Sequence, residues 1–223
     1  MTDDVNDTVE CFDQIVKISK NIFLSKLRDY GPSWLMLRKS SLVDQIWIKA
    51  KRIRTLEELN DDSCISEGRD VEYLGIINYS IISLMEIWYP EKMPNFYETS
   101  FDEDSLIYDE KDIEKMSILY DEVVKKVRVL LKKKNHDYGE AWKQMEITSI
   151  TDQILVKIFR LKSILIHQRH LKEEDGLDAQ FSDIINYSIF SLIKIYSDGC
   201  SLSDDELKAR QFSFHTIESV LLH

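Results

Sequence analysis

The chain has 223 residues, 43% of them hydrophobic and 31% charged, as expected for a globular protein of one or two domains. Its net charge of −11 argues against binding to duplex nucleic acid or an acidic membrane, because both need a basic face. Three scattered cysteines, an acidic N-terminus and the lack of a long apolar run predict a cytoplasmic protein without disulfides, structural metal or membrane span.

The first ninety residues predict three α-helices. Apolar residues at three- and four-residue steps predict a first helix that ends near Gly31, where a left-handed cap is followed by Pro32. Ser40-Ser41 offers an N-cap for a second helix over about 42–59, and a third follows over about 69–88. The acidic, irregular stretch 91–111 then separates this unit from the rest of the chain.

The second part of the chain repeats the first at a fixed offset. Asp29 and Asp137 are 108 positions apart, as are Asp44 and Asp152, and about a third of the residues in 12–88 are identical to their counterparts. Helices are therefore predicted over about 113–135, 149–171 and 178–196, with a last one to about 222 that docks on the body or forms a solvated tail. We predict an all-α fold in which two tandem three-helix repeats pack as a pseudo-twofold helical bundle, plus a C-terminal helix. The predicted units are 1–90, linker 91–111, 112–198 and 199–223.

The second helix of each repeat carries one polar stripe on an otherwise apolar surface. In repeat 2 the stripe holds Asp152, Gln153, Lys157 and Arg160, with Val156 among them. A helix that is apolar on most sides is expected to be buried, and buried cations need partners. Two interpretations stay open. The stripe forms salt bridges that fix the packing, such as Lys157–Asp183 and Arg160 with Asp178 or Asp152, or it binds phosphate while carboxylates hold a divalent cation.

The sequence Lys-x-x-Asp-Tyr-Gly-x-x-Trp ends the first helix of each repeat. One interpretation is a helix C-cap followed by core aromatics. The other is a nucleobase site in which Tyr138 and Trp142 stack on the base while Asp137 or Asn135 reads its edge. Repeat 1 has Gly75 where repeat 2 has Asp183, so its site lacks one carboxylate. We therefore expect repeat 2 to be the more active site, while in repeat 1 an anion could take the place of the carboxylate. The alternative is that the two repeats combine into one asymmetric site.

These residues resemble those of a known family. The sequences Lys-Asn-His-Asp-Tyr-Gly-x-x-Trp, Asp-x-x-x-x-Lys-x-x-Arg and Asp-Ile-Ile-Asn-Tyr are similar to the nucleotide modification associated domain, formerly a domain of unknown function, in a tandem form of the Bacteroidetes type. The resemblance implies a nucleotide context. A more distant resemblance is to the all-α nucleoside triphosphate pyrophosphohydrolases, whose acidic pairs hold magnesium; Asp183-x-x-Asn186 is the nearest approach to their motif.

The sequence thus predicts a protein that binds a nucleotide or another small phosphate ligand, with Mg²⁺-dependent hydrolysis of a nucleoside phosphate as a further possibility. The alternative is a non-catalytic helical interaction protein with structural salt bridges. The proposed Mg²⁺ ligands are Asp152, Asp178 and Asp183. The predicted ligand-binding residues are Asp29, Tyr30, Trp34, Lys49, Arg52, Asn78, Asp137, Tyr138, Trp142, Gln153, Lys157, Arg160 and Asn186.

Overall fold

The computed structural model describes residues 2–59, 68–93, 109–167 and 176–196. These residues form helices and no strand, as the sequence predicts. Repeat 1 consists of α1 (Thr2–Tyr30), α2 (Lys39–Glu58) and α3 (Arg69–Trp88), and repeat 2 of α4 (Glu110–Tyr138), α5 (Ile147–His167) and α6 (Leu177–Ile195). Short 3-10 helices span Ser33–Met36, Pro90–Lys92 and Ala141–Gln144. The predicted C-terminal helix lies outside the described residues, as does most of the linker.

Each helix packs against its counterpart from the other repeat. The pairs α1 with α4, α2 with α5 and α3 with α6 are all in contact, and the buried side chains of both repeats form one hydrophobic core. The α2–α5 pair is antiparallel, since Asp44 meets Lys162 at 2.7 Å and Arg54 approaches Asp152 at 3.8 Å. This arrangement confirms the predicted pseudo-twofold bundle.

Buried hydrogen bonds also cross between the repeats. The Tyr73 hydroxyl lies 2.8 Å from the Thr151 hydroxyl, which donates in turn to Glu57 at 2.7 Å. The Tyr120 hydroxyl donates to Asn78 Oδ1 at 3.0 Å. The halves therefore share polar as well as apolar contacts.

Three local expectations are wrong. Helix α2 begins at Lys39 rather than after a serine cap, because the Arg38 carbonyl already accepts the Leu42 N–H at 3.0 Å. Helix α5 is not buried on most sides, since Val156 is 44% and Phe159 71% exposed. Cys11 is joined in a disulfide, whereas the scattered cysteines had predicted none. None of the described helices is long and apolar enough to cross a membrane.

Burial of Tyr120 makes the stability of the bundle sensitive to alkaline pH. Its side chain is fully buried, and desolvation raises the pKa of the phenol above its usual 10.0. The unfolded chain therefore loses this proton near pH 10 while the folded protein retains it, so stability falls as pH rises through 10. We expect Tyr120→Phe to flatten this decline in urea unfolding between pH 9 and 11. An unchanged pH slope in the variant would contradict the assignment.

Candidate functional site: one pocket in each repeat

A left-handed turn after the first helix of each repeat places the motif tyrosine outside and the motif tryptophan inside. Gly31 (φ 65°) and Gly139 (φ 57°) end α1 and α4 in the left-handed region, which glycine adopts without penalty. The following 3-10 helices bury Trp34 and Trp142, each 7% exposed, whereas Tyr30 and Tyr138 are 47% and 73% exposed. The recurring motif thus combines a helix cap with an aromatic wall.

The repeat-2 pocket is a cavity of about 320 Å³ between α4, α5, α6 and the 3-10 helix. Tyr138 lines it, and Trp142 stacks on Phe190 with ring centroids 4.4 Å apart. Its volume is at the lower end of the range for small-molecule sites, which is about 300–1,000 Å³. The polar residues that line it are Lys134, Asn135, Tyr138, Lys157, Asp183, Asn186 and Tyr187.

One carboxylate joins the two lysines of this pocket. Lys157 Nζ donates to Asp183 Oδ2 at 2.6 Å, and Lys134 Nζ donates to Oδ1 of the same group. The Lys157 and Asp183 side chains are each 14% exposed, and that of Lys134 is 41% exposed. The predicted Lys157–Asp183 salt bridge is confirmed. Both oxygens of Asp183 therefore carry a cationic partner.

The repeat-1 pocket has nearly the same walls. It measures about 360 Å³ and is lined by Lys26, Tyr30, Trp34, Lys49, Gly75, Asn78 and Tyr79, among others. At the offset of 108, these positions match lining residues of the repeat-2 pocket one for one. Ligand-sized cavities thus occur at equivalent places in both repeats.

The carboxylate that binds the pocket lysine lies about one helical turn earlier on the third helix in repeat 1 than in repeat 2. Glu72, whose side chain is 6% exposed, accepts from Lys49 Nζ at 3.0 Å and also from Arg52. Repeat 2 has Gln180 at the position of Glu72, and Asp183 at the position of Gly75. Lys49 and Arg52 therefore have a carboxylate partner in Glu72, which the sequence pattern did not predict.

The family model Nucleotide modification associated domain 1 matches the chain twice, at residues 26–87 and 134–195. The chain belongs to this family. Comparisons with curated proteins and with solved structures found no match. The two matched segments begin at the pocket lysines Lys26 and Lys134, and they contain most of the residues that line each pocket.

The structure brings together only part of the predicted site of this family member. Repeat 2 places Tyr138, Trp142, Lys157 and Asn186 around its pocket, and repeat 1 does the same with Tyr30, Trp34, Lys49 and Asn78. Other predicted residues lie outside the pocket linings. Asp29, Asp137 and Arg160 are exposed, Arg52 binds Glu72 behind Lys49, and Gln153 is half-buried.

The proposed magnesium ligands do not converge. Asp183 binds two lysines, whereas Asp178 accepts from Trp88 Nε1 at 3.1 Å and from the Ala179 N–H at 2.9 Å. The side chain of Asp152 is 61% exposed and faces Arg54. No group of three His, Cys, Asp or Glu side chains within the described part of the chain has a metal-binding arrangement. The residues present do not fit a preformed Mg²⁺ site.

Glu140 was also missed by sequence reasoning. It is 8% exposed and has a positive φ of 60°. Its carboxylate accepts from Thr8 Oγ1 at 2.6 Å, Asn135 Nδ2 at 2.8 Å and Trp142 Nε1 at 3.0 Å. Repeat 1 has Pro32 at this position, and the offset comparison alone marks the difference. Glu140 thus holds the tryptophan wall of the repeat-2 pocket and ties it to α1.

Proposed function

We propose that this protein binds a nucleotide through the repeat-1 and repeat-2 pockets. The observation that carries the proposal is that both repeats keep a pocket lined by two lysines, a solvent-exposed tyrosine and a buried tryptophan. The family's name associates it with nucleotide modification. The cytoplasmic setting expected from the composition stays a prediction.

The pocket walls suit the two parts of a nucleotide. A tyrosine at the rim provides a stacking surface, and base–aromatic stacking is worth about 1–3 kcal/mol per base. Lysines bind phosphate as compact positive charges. In repeat 1 the distance between these functions is set by α1 itself, because Lys26 and Tyr30 lie one turn apart on the same helix.

The geometry supports binding rather than metal-dependent hydrolysis. A carboxylate that binds Mg²⁺ needs a free oxygen, and both oxygens of Asp183 accept from lysines. Among the described residues, Asp183 is the one carboxylate in the lining of the repeat-2 pocket, and the lining of the repeat-1 pocket holds none. The proposed activity is therefore recognition of a nucleotide without a preformed metal centre.

A thermal-shift screen of nucleotides, with EDTA and then with Mg²⁺, tests the proposal. A ligand at a hundred times its Kd adds about 2.7 kcal/mol to the native state. For a chain of this size, that raises Tm by about 5–10 °C. We expect at least one nucleotide to do so, to a similar extent in EDTA and in Mg²⁺. If no nucleotide raises Tm, the proposal is wrong.

Paired variants assign that response to the pockets. Tyr30→Ala together with Tyr138→Ala should reduce the shift, because both stacking surfaces are lost while exposed side chains contribute little to stability. His136→Ala is the matched control, since this exposed residue lies on α4 close to Tyr138 but outside the pocket lining. An unchanged shift in the tyrosine variant would place the nucleotide elsewhere.

The interaction-protein alternative is favoured by a different surface. Ile48 on α2 and Val156 and Phe159 on α5 are large apolar residues that are 59%, 44% and 71% exposed. Ile48 and Val156 occupy equivalent positions in the two repeats. Light scattering of the wild type and of Phe159→Ser would show whether this surface mediates self-association, independently of any nucleotide response.

A further inference from the structure

The two pockets differ at three places, and each difference affects which chemical groups the pocket can bind. The differences are the position of the carboxylate, the partner of the tryptophan N–H and the partner of the asparagine side chain. We propose that the repeat-1 pocket is the phosphoryl-binding site, and that the repeat-2 pocket accepts a neutral group that donates hydrogen bonds. This assignment rests on the proposed function, because it states which chemical group each of the two separate pockets takes.

The first difference is electrostatic. Lys26 and Lys49 line the repeat-1 pocket, and none of the described residues that line it is acidic. Glu72 lies behind Lys49, where its charge is shared with Arg52. In repeat 2, Asp183 itself lines the pocket and binds both lysines. A phosphoryl group entering repeat 2 must displace this carboxylate and then lies beside it, whereas in repeat 1 the carboxylate partner of Lys49 lies outside the pocket lining.

Gly75 is the residue that permits the repeat-1 arrangement. A Cβ atom at this position would lie 2.7 Å from Lys49 Cε and 2.8 Å from Lys49 Cδ. The lysine stem therefore crosses directly over the glycine to reach Glu72. Any larger residue at position 75 displaces the Lys49 side chain. An aspartate there would also give Lys49 a carboxylate partner equivalent to the one that Lys157 has in repeat 2.

The second difference is an unused donor in repeat 1. Trp34 is 7% exposed and lines the pocket, and its indole Nε1 has no hydrogen-bond partner among the described residues. Its counterpart Trp142 donates to Glu140 at 3.0 Å. A buried N–H without a partner is unfavourable, and an oxygen-rich group such as phosphoryl provides acceptors for it.

The third difference is an unused acceptor in repeat 2. Asn186 is 5% exposed and lines the pocket, and its Oδ1 lacks a partner within the described ranges. Its counterpart Asn78 accepts from Ser19 Oγ at 2.9 Å and from the Tyr120 hydroxyl at 3.0 Å. A free amide oxygen next to Asp183 suits a ligand N–H or O–H group, which a nucleobase or a sugar supplies.

Exchanging the charge arrangements between the repeats tests the assignment. The double variant Glu72→Gln with Gly75→Asp gives repeat 1 the arrangement of repeat 2, and Asp183→Gly with Gln180→Glu makes the reverse change. The probe is inorganic pyrophosphate, titrated by calorimetry in EDTA. We expect one site per wild-type chain, at least tenfold weaker binding in the first variant and a second site in the reverse variant. Two equal sites in the wild type, or a change of less than twofold in the first variant, would overturn the assignment.

Single substitutions keep the test decisive if a double variant fails to fold. Lys26→Gln should weaken pyrophosphate binding, whereas the equivalent Lys134→Gln should leave it unchanged. The opposite result would move the phosphoryl site to repeat 2. Failure of the proposed function is distinguishable, because pyrophosphate would then still bind at repeat 1 while no nucleotide raised Tm.

Discussion

Glu72→Ala is expected to lower the free energy of unfolding by about 3–5 kcal/mol, since it removes the carboxylate that two partly buried cations share. The Glu72 side chain is 6% exposed and accepts from both Lys49 and Arg52, which are 27% and 25% exposed. Alanine at this position removes a shared ion pair between α2 and α3. Urea unfolding at neutral pH measures the loss.

Glu58→Ala provides the matched control for Glu72→Ala. Glu58 pairs with Arg54 on the surface of α2, at 3.5 Å, and its side chain is 68% exposed. Exposed pairs of this kind contribute about 0.5 kcal/mol or less. If Glu72→Ala costs no more than Glu58→Ala, the cluster around Glu72 does not hold α2 against α3.

Separating the repeats is expected to abolish folding of either half as a monomer. Fragments 1–93 and 109–223 each lose the helix partners that cover their apolar faces, together with the Tyr73–Thr151 and Trp88–Asp178 hydrogen bonds. A three-helix unit of this size also buries too little surface to be more than marginally stable on its own. Circular dichroism and gel filtration of each fragment, alone and mixed, measure the effect.

Mixing the two fragments should restore a cooperative thermal transition, because the interface is rebuilt from its original surfaces. A fragment that forms a homodimer would agree with the pseudo-twofold arrangement, in which each helix packs on its own counterpart. A fragment that is folded and monomeric would contradict it. In that case the repeats would be independent domains, and the single core would not be required for stability.

Most of the fold was predictable from the sequence because the signals are periodic and occur twice. The helix end at Gly31 and its repetition at Gly139 follow from glycine's access to positive φ. The bounds of α3, Arg69–Trp88, agree with the prediction because Pro90 stands two residues after the last helical residue. The fixed offset also predicted that the second site would mirror the first, and the two pockets do so.

The partners within each pocket were harder to predict. An angular position on a helix indicates which residues share a face, but not whether that face is covered. Arg160 lies near Lys157 on such a projection, yet it is exposed because the adjoining surface of α5, with Phe159, is open. Aligning the repeats at the fixed offset shows that repeat 1 has Gly75 where repeat 2 has a carboxylate. It does not show that Glu72, three residues earlier on the same helix, supplies a carboxylate to Lys49 instead.

A crystal structure of the protein with a nucleotide from the thermal-shift screen tests the central claim most directly. We expect difference density in the repeat-1 pocket, with the phosphate beside Lys26 and Lys49 and the base against Tyr30. Density for the nucleotide outside both pockets, or a nucleotide held only through the exposed surface of α5, would contradict it.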